Sequence, residues 1–173
     1  MQFICLTQGK VTAVSDEDFE YLIRFKWHAA KSKRKNRPDV WYAKRFSLGT
    51  NNRGQIYMHN EVAKLAGFSE CEVVDHIDGN GMNNIRENLR PSSFSQNQGN
   101  RKKTPGTSSR FKGVTWVKHK YRQCWKATIK AYGESYFLGE FFNEEDAARA
   151  YDEAAIKIFG EFAVLNFPRP KKT

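Results

Sequence analysis

Asp75, His76, Asn88 and Asn97 fall within CEVVDHIDGNGMNNIRENLRPSSFSQNQ (71–98) and have the makings of phosphodiester chemistry. Asp75 is a hard oxygen ligand suited to Mg²⁺ or Mn²⁺. His76 can titrate near neutrality and act as a general base. Asn88 can orient an imidazole through its amide, and Asn97 can offer a carbonyl oxygen to a metal. Phosphodiester hydrolysis needs such a set, because a base must activate water and a cation must stabilise the leaving 3′ oxygen. An isolated Asp-His pair would carry no such meaning. The bland reading is an Asn-rich loop whose Asn80, Asn83 and Asn84 cap turns through Asx bonds.

Local structure must bring these residues together. Val73-Val74 reads as a strand leading into Asp75-His76, and Asp78-Gly79-Asn80-Gly81 supplies turn residues. Asn88-Leu89-Arg90 reads as the return strand, and Pro91 with Ser92 and Ser93 is expected to open a helix carrying Asn97. A unit of about 27 residues is too small to hold itself together, so the preceding residues must supply a core. There, Ser15 is expected to cap a short helix with an acidic first turn, Asp16-Glu17-Asp18. KSKRKNR (31–37) reads as a loop before the strand-like WYAKRF. A second helix is expected from about Tyr57 to Ala66, closed by Gly67. His59, near the apolar face of that helix, reads as a packed core histidine.

The 173-residue chain carries a formal net charge of +10, which points to a polyphosphate partner. Residues 1–100 hold 14 basic and 11 acidic groups, a net of +3, whereas 101–173 hold 15 and 8, a net of +7. Between them SFSQNQGNRKKTPGTSSR has linker composition, which places a basic linker at 99–109. No apolar run approaches the roughly 18–20 residues of a membrane helix, and MQFICLTQGK lacks the features of a signal peptide. Cys5, Cys71 and Cys124 are scattered, and with His28, His59, His76 and His119 they show no structural-zinc spacing. A reducing, cytoplasmic setting is expected.

From Arg110 the pattern changes. Residues 112–130 contain six Lys/Arg and no acid. In WKATIK, Lys126, Thr128 and Lys130 alternate with Trp125, Ala127 and Ile129, the period of a strand with one wet face. SYFLGEF (135–141) reads as another strand. Asn143 is expected to cap a helix whose apolar stripe is Ala147, Tyr151, Ala154, Ala155 and Ile158, ended by Gly160. Bases concentrate in the sheet and acids in the helix, so the free sheet face is expected to be positive. Arg110, Trp116, Lys118, Lys120, Arg122, Lys126, Thr128 and Lys130 are its candidate nucleic-acid contacts.

Two resemblances extend this reading. DHIDGNGMNNIRENL with SQNQ, preceded by MHNEVAKLA, resembles the ββα-metal motif of phage and intron-borne HNH homing endonucleases. The resemblance implies Asp75 and Asn97 as ligands of one Mg²⁺ or Mn²⁺, His76 as general base and Asn88 as its support. The third motif letter is usually His, and Asn97 stands there instead, as in the phage nickase branch. SRFKGVTWV, WKATIKAYGESYFLGEF and EEDAARAYDEAAIKIFGEFAVLNFP resemble the plant ethylene-response-factor (AP-two type) DNA-binding domain. That family lays a three-stranded sheet in the major groove. Lys112, Thr115, Lys130, Ser135 and Phe137 occupy positions where it often carries Arg or Trp, which implies a different or looser sequence preference.

The expected fold is therefore α+β, with a nuclease domain over 1–98, its ββα-metal core at about 71–98, and the linker. A three-stranded antiparallel sheet packed on one helix (110–168) and a basic tail (169–173) follow. The expected function is a monomeric, nicking DNA endonuclease acting on duplex DNA, with no membrane or obligate protein partner. A catalytically silent DNA-binding protein and an RNA binder are the rival readings.

Overall fold

The computed structural model describes residues 1–32, 39–47, 54–68 and 73–169. Most of the loop expected over 31–37, Cys71 and the tail beyond Arg169 lie outside the described residues. The chain is mixed α+β, with small, mainly antiparallel sheets and short helices. It divides into two compact units, Met1–Ser93 and Phe94–Thr173, so the segment expected as a linker falls inside the second.

In the first unit, β1 (Gln2–Cys5) and β2 (Val11–Val14) form a hairpin, followed by α1 (Asp16–Leu22). Ser15 sits at the N-cap position of α1 with extended backbone, yet its side chain makes no cap bond. Its hydroxyl instead accepts from the Arg86 backbone N–H at 2.9 Å, tying a distant segment to the helix start. β3 (His28–Ser32), β4 (Val40–Phe46) and β5 (Gln55–Tyr57) make an antiparallel sheet that leads into α2 (Met58–Leu65). Gly67 takes φ +71° just past α2, a left-handed conformation that suits glycine. Val14, Leu22, Met58 and Val62 are fully buried, and Trp27 and Leu89 join them in one core.

That core carries the motif. β6 (Val73–His76) pairs antiparallel with β8 (Leu89–Ser92), and between them β7 (Asn83–Asn84) lies parallel to β2. Asp18, 1% exposed, takes two charge-assisted bonds from Arg86 (2.9 and 2.6 Å), which anchors the chain between β7 and β8 to α1. Pro91 and Ser92 belong to β8, not to the start of a helix. The Ile77 N–H bonds the Asn88 carbonyl at 2.9 Å, so by antiparallel alternation the Val74–Pro91 pair falls at a non-hydrogen-bonded site. The N–H that proline lacks is therefore not needed there. The helix opens later, as α3 (Phe94–Gly99), at the start of the second unit.

The second unit is built on β9 (Val114–Lys118), β10 (Gln123–Ala131) and β11 (Glu134–Phe141), with β10 central. α4 (Glu144–Phe159) packs on one sheet face through Ala147, Ala148, Tyr151, Ala155 and Phe159. The Asn143 side chain accepts from the Glu145 N–H at 2.8 Å, the cap expected of it, and three acidic residues follow at the positive end of the helix. Gly113, at φ +77°, lies so close to Tyr151 that a Cβ would come within 2.0 Å of the ring, so glycine is required there.

Candidate active site and nucleic-acid interface

The loop between β6 and β7 is held by its own amides. Asp78 Oδ1 accepts from the Asn80 N–H (2.7 Å) and from Asn88 Nδ2 (3.0 Å), and its Oδ2 accepts from Asn83 Nδ2 (2.8 Å). Asn88 Oδ1 in turn accepts from the Asp78 N–H (3.1 Å), and Asn88 Nδ2 also donates to the Asn83 carbonyl (2.8 Å). Burial alone would raise the Asp78 pKa, but these hydrogen bonds hold it below the usual carboxylate value. Gly81 makes the loop's close approach to β4 possible, since a Cβ there would lie 2.5 Å from both the Trp41 carbonyl oxygen and the Tyr42 ring.

Asn84 does what sequence reasoning did not assign to it. It is fully buried, and its Oδ1 lies 3.2 Å from His76 Nε2. Its Nδ2 donates to Thr12 Oγ1 at 2.7 Å, and Thr12 Oγ1 donates to the Met82 carbonyl at 2.8 Å. Counting protons orders this chain. The carbonyl can only accept, so the hydroxyl spends its hydrogen there and must accept from Asn84. Asn84 then turns its oxygen to the imidazole, so His76 carries its proton on Nε2 and the basic lone pair on Nδ1. Only the pairing of residue 84 with position 12 reveals this role, and that pairing is invisible in a linear motif.

His76 is itself buried, with Tyr42 and His59 rings against it at centroid distances of 6.1 and 5.0 Å. Burial pushes its pKa below the ordinary imidazole value, although the Asn84 bond and the Asp78 and Asp75 carboxylates push upward. His59 is packed among Tyr42, Tyr57 and His76, and burial, aided by His76, lowers its pKa to about 3. Its Nδ1 is buried without a hydrogen-bond partner among the described residues, which suits a neutral ring.

Asp75 is 5% exposed and pairs across the hairpin with Arg90, whose Nε (3.1 Å) and terminal nitrogen (3.0 Å) both reach Oδ2. Both of these Arg90 groups fall on one oxygen of the carboxylate. A carboxylate oxygen and an amide oxygen are donors that fit Mg²⁺ or Mn²⁺. Asn97 lies half-buried on α3, in the second unit, whereas Asp75 and His76 belong to the first. Asn88, expected as the support of His76, spends its amide on the loop, and Asn84 makes the contact with the ring.

On the second unit's sheet, register sorts the expected DNA contacts by face. Thr115 pairs with Lys126, Lys126 with Glu140, Thr128 with Phe137 and Lys130 with Ser135. These side chains share the face away from α4, as the alternation in WKATIK predicts. Trp116 pairs with Trp125, the rings 4.7 Å apart, and Trp125 packs toward α4, so Trp116 and Lys118 fall on the opposite face. Lys112 reaches the Gly99 carbonyl (2.7 Å) and the Tyr151 ring. Arg110 is paired with Glu144 and Glu145. Lys120 and Arg122 lie in the turn between β9 and β10. Among the described residues no helix is long and apolar enough to cross a membrane.

No protein-family model matches the chain. It is 30% identical over 167 residues to an uncharacterized HNH endonuclease of Acanthamoeba polyphaga mimivirus, covering 95% of this chain and 80% of that protein. It is 32% identical over 124 residues to an AP2-like ethylene-responsive transcription factor of Arabidopsis thaliana, covering 63% of this chain and 40% of that protein. It is also 36% identical over 63 residues to protein 3.8 of Escherichia phage T7, covering 36% of this chain and 50% of that protein.

Proposed function

This chain belongs to the HNH endonuclease family, and on that premise we propose that it nicks duplex DNA, with His76 as general base and the AP2-like sheet as its DNA-binding surface. The observation that carries the reading is the hydrogen-bond chain from the Met82 carbonyl through Thr12 and Asn84 to His76. It holds the proton on Nε2, so Nδ1 takes the proton from the water that attacks phosphorus. Asp78 and Asn88 brace the loop that follows His76. Mg²⁺ or Mn²⁺, held by Asp75, would neutralise the phosphate and stabilise the departing 3′ oxygen. One motif per chain makes a nick the primary product. β6 and β8, followed directly in sequence by α3, support a ββα-metal core. Lys126 and Lys130 supply phosphate contacts on the open face of the sheet, and Thr115, Thr128, Ser135 and Phe137 lie beside them.

The test is incubation of the full chain with a randomised duplex pool and Mg²⁺ or Mn²⁺, followed by end-sequencing. His76→Ala is expected to slow cleavage by about 10²–10⁴-fold with DNA affinity unchanged. Cleavage by that variant within tenfold of wild type would overturn the assignment of the base. Duplex binding without cleavage in either metal would favour a silent DNA-binding protein. The Asp75–Arg90 pair favours that reading, because it gives the carboxylate a structural partner.

A further inference from the structure

We propose that His119, Cys124 and Glu140 form a second metal site, distinct from the hydrolytic one, that takes a borderline-soft divalent cation such as zinc. His119 and Cys124 stand five positions apart and Glu140 sixteen beyond Cys124, and the three are adjacent in space. His119 directly follows β9, Cys124 lies on β10 and Glu140 on β11, and their ligand atoms all fall within 4.8 Å of one another. Zinc bonds of about 2.0–2.3 Å put tetrahedral ligand atoms roughly 3.3–3.6 Å apart, a contraction within reach of side-chain adjustment.

The hydrogen bonds already converge as a metal would require. His119 Nε2 lies 3.0 Å from Glu140 Oε1, and the Cys124 thiol bonds the same carboxylate. Cys124 is 2% exposed although it lies on the open side of the sheet, opposite the face that packs on α4. A cation placed among these atoms replaces hydrogens that now point at one carboxylate. Cys124 releases its proton to solvent. A charged His119 releases one as well, whereas a neutral ring moves its N–H to Nδ1. The thiolate and carboxylate then cancel the dication's charge.

Arg122 bonds the other Glu140 oxygen, Oε2, and so orients the carboxylate from outside without using Oε1. Burial and the Glu140 carboxylate raise the Cys124 pKa, so the thiol proton must be displaced and affinity should rise with pH. Sulfur and imidazole nitrogen select zinc, cobalt or copper over magnesium, which prefers oxygen. Three side-chain ligands leave a fourth position for water or a DNA phosphate. Bound metal would pin the β9–β10 turn to β11 at one end of the open face.

The experiment is titration of the metal-free full chain with Co²⁺, read as thiolate-to-cobalt charge-transfer absorption. The expected result is a band saturating at one equivalent, displaced by zinc but not by magnesium. It should persist in Asp75→Ala, which separates this site from the hydrolytic metal, and vanish in Cys124→Ser. His119→Gln changes an exposed side chain and leaves the fold intact. It should weaken binding by more than about 100-fold, since even outer-shell partners contribute about 10–100-fold. Absence of the band in the wild type, its survival in Cys124→Ser, or unchanged affinity in His119→Gln would each overturn the proposal.

Discussion

Replacing Asn84 by leucine isolates the step on which the proposed chemistry turns. The substitution keeps the branched heavy-atom skeleton of a fully buried side chain and removes both of its hydrogen bonds, to His76 and to Thr12. Thr12 still donates to the Met82 carbonyl, so its hydroxyl stays satisfied. His76 does not. A proton kept on Nε2 would face leucine as a buried, unsatisfied donor, at a cost of about 1–3 kcal/mol. The ring avoids that cost by moving its proton to Nδ1, which removes the lone pair the reaction needs. At 1.36 kcal/mol per tenfold, the productive tautomer falls by about 5–150-fold. Single-turnover nicking should slow by that factor, with KM and DNA affinity little changed. Asn84→Asp restores an acceptor at Nε2 and should recover most of the rate. Nitrogen-15 spectra of His76 in its neutral form should show the proton on Nε2 in wild type and Asn84→Asp, and on Nδ1 in Asn84→Leu. A folded Asn84→Leu protein that nicks within twofold of wild type, or a wild-type ring protonated on Nδ1, would refute the reasoning.

Four further outcomes are expected. Gly81→Ala should lower stability by about 1–3 kcal/mol in denaturant unfolding, because its Cβ meets the Trp41 backbone oxygen and cannot be relieved by a rotamer change. Arg90→Leu should cost about 3–5 kcal/mol by removing the ion-pair partner of the buried Asp75 carboxylate. His59 stays neutral in the fold down to about pH 3, against 6.5 when unfolded, so the unfolded state gains protons first as pH falls. Stability should therefore decline between pH 6.5 and 3 by up to about 1.4 kcal/mol per pH unit from this residue, and His59→Phe should flatten that part of the curve. Lys126→Ala and Lys130→Ala should each reduce the log–log salt slope of duplex binding by about 0.9, measured by fluorescence anisotropy at several salt concentrations.

The periodic elements were legible in the sequence. Alternation in WKATIK, the Asn143 cap and the apolar stripe of α4 follow from spacings within one element, where side-chain direction is fixed by the period. Ser15 shows where such reasoning stops, because it occupies the cap position but bonds Arg86, which is distant in sequence. Pro91 suits the first turn of a helix, and its sequence context predicts that position. In β8 it suits a non-hydrogen-bonded edge position equally well, and only the register with β6 decides between them. The zinc-type trio was missed for the same reason. Its ligands show no local spacing rule, since they come from a turn and two neighbouring strands. Trp116, expected among the DNA contacts of the open face, shares the parity of Trp125 and so lies on the other face.

The motif's asparagines share one side chain and hold different positions in the network. Asn80 and Asn83 bond within the loop, Asn88 clamps Asp78 from both its oxygen and its nitrogen, and Asn84 links position 12 to the imidazole. An amide combines a donor and an acceptor on one rigid plane without charge, and position 84 uses both properties. A carboxylate there would accept from Nε2 but would add a buried negative charge near Asp75 and Asp78. A hydroxyl could rotate and present either its hydrogen or its lone pair to the ring. Because Thr12 fixes the amide's orientation, the tautomer of His76 is set by a neutral group two hydrogen bonds away from the Met82 backbone. The histidine proposed as general base can then be oriented before any metal or DNA arrives, and the loop needs no further charge to hold it.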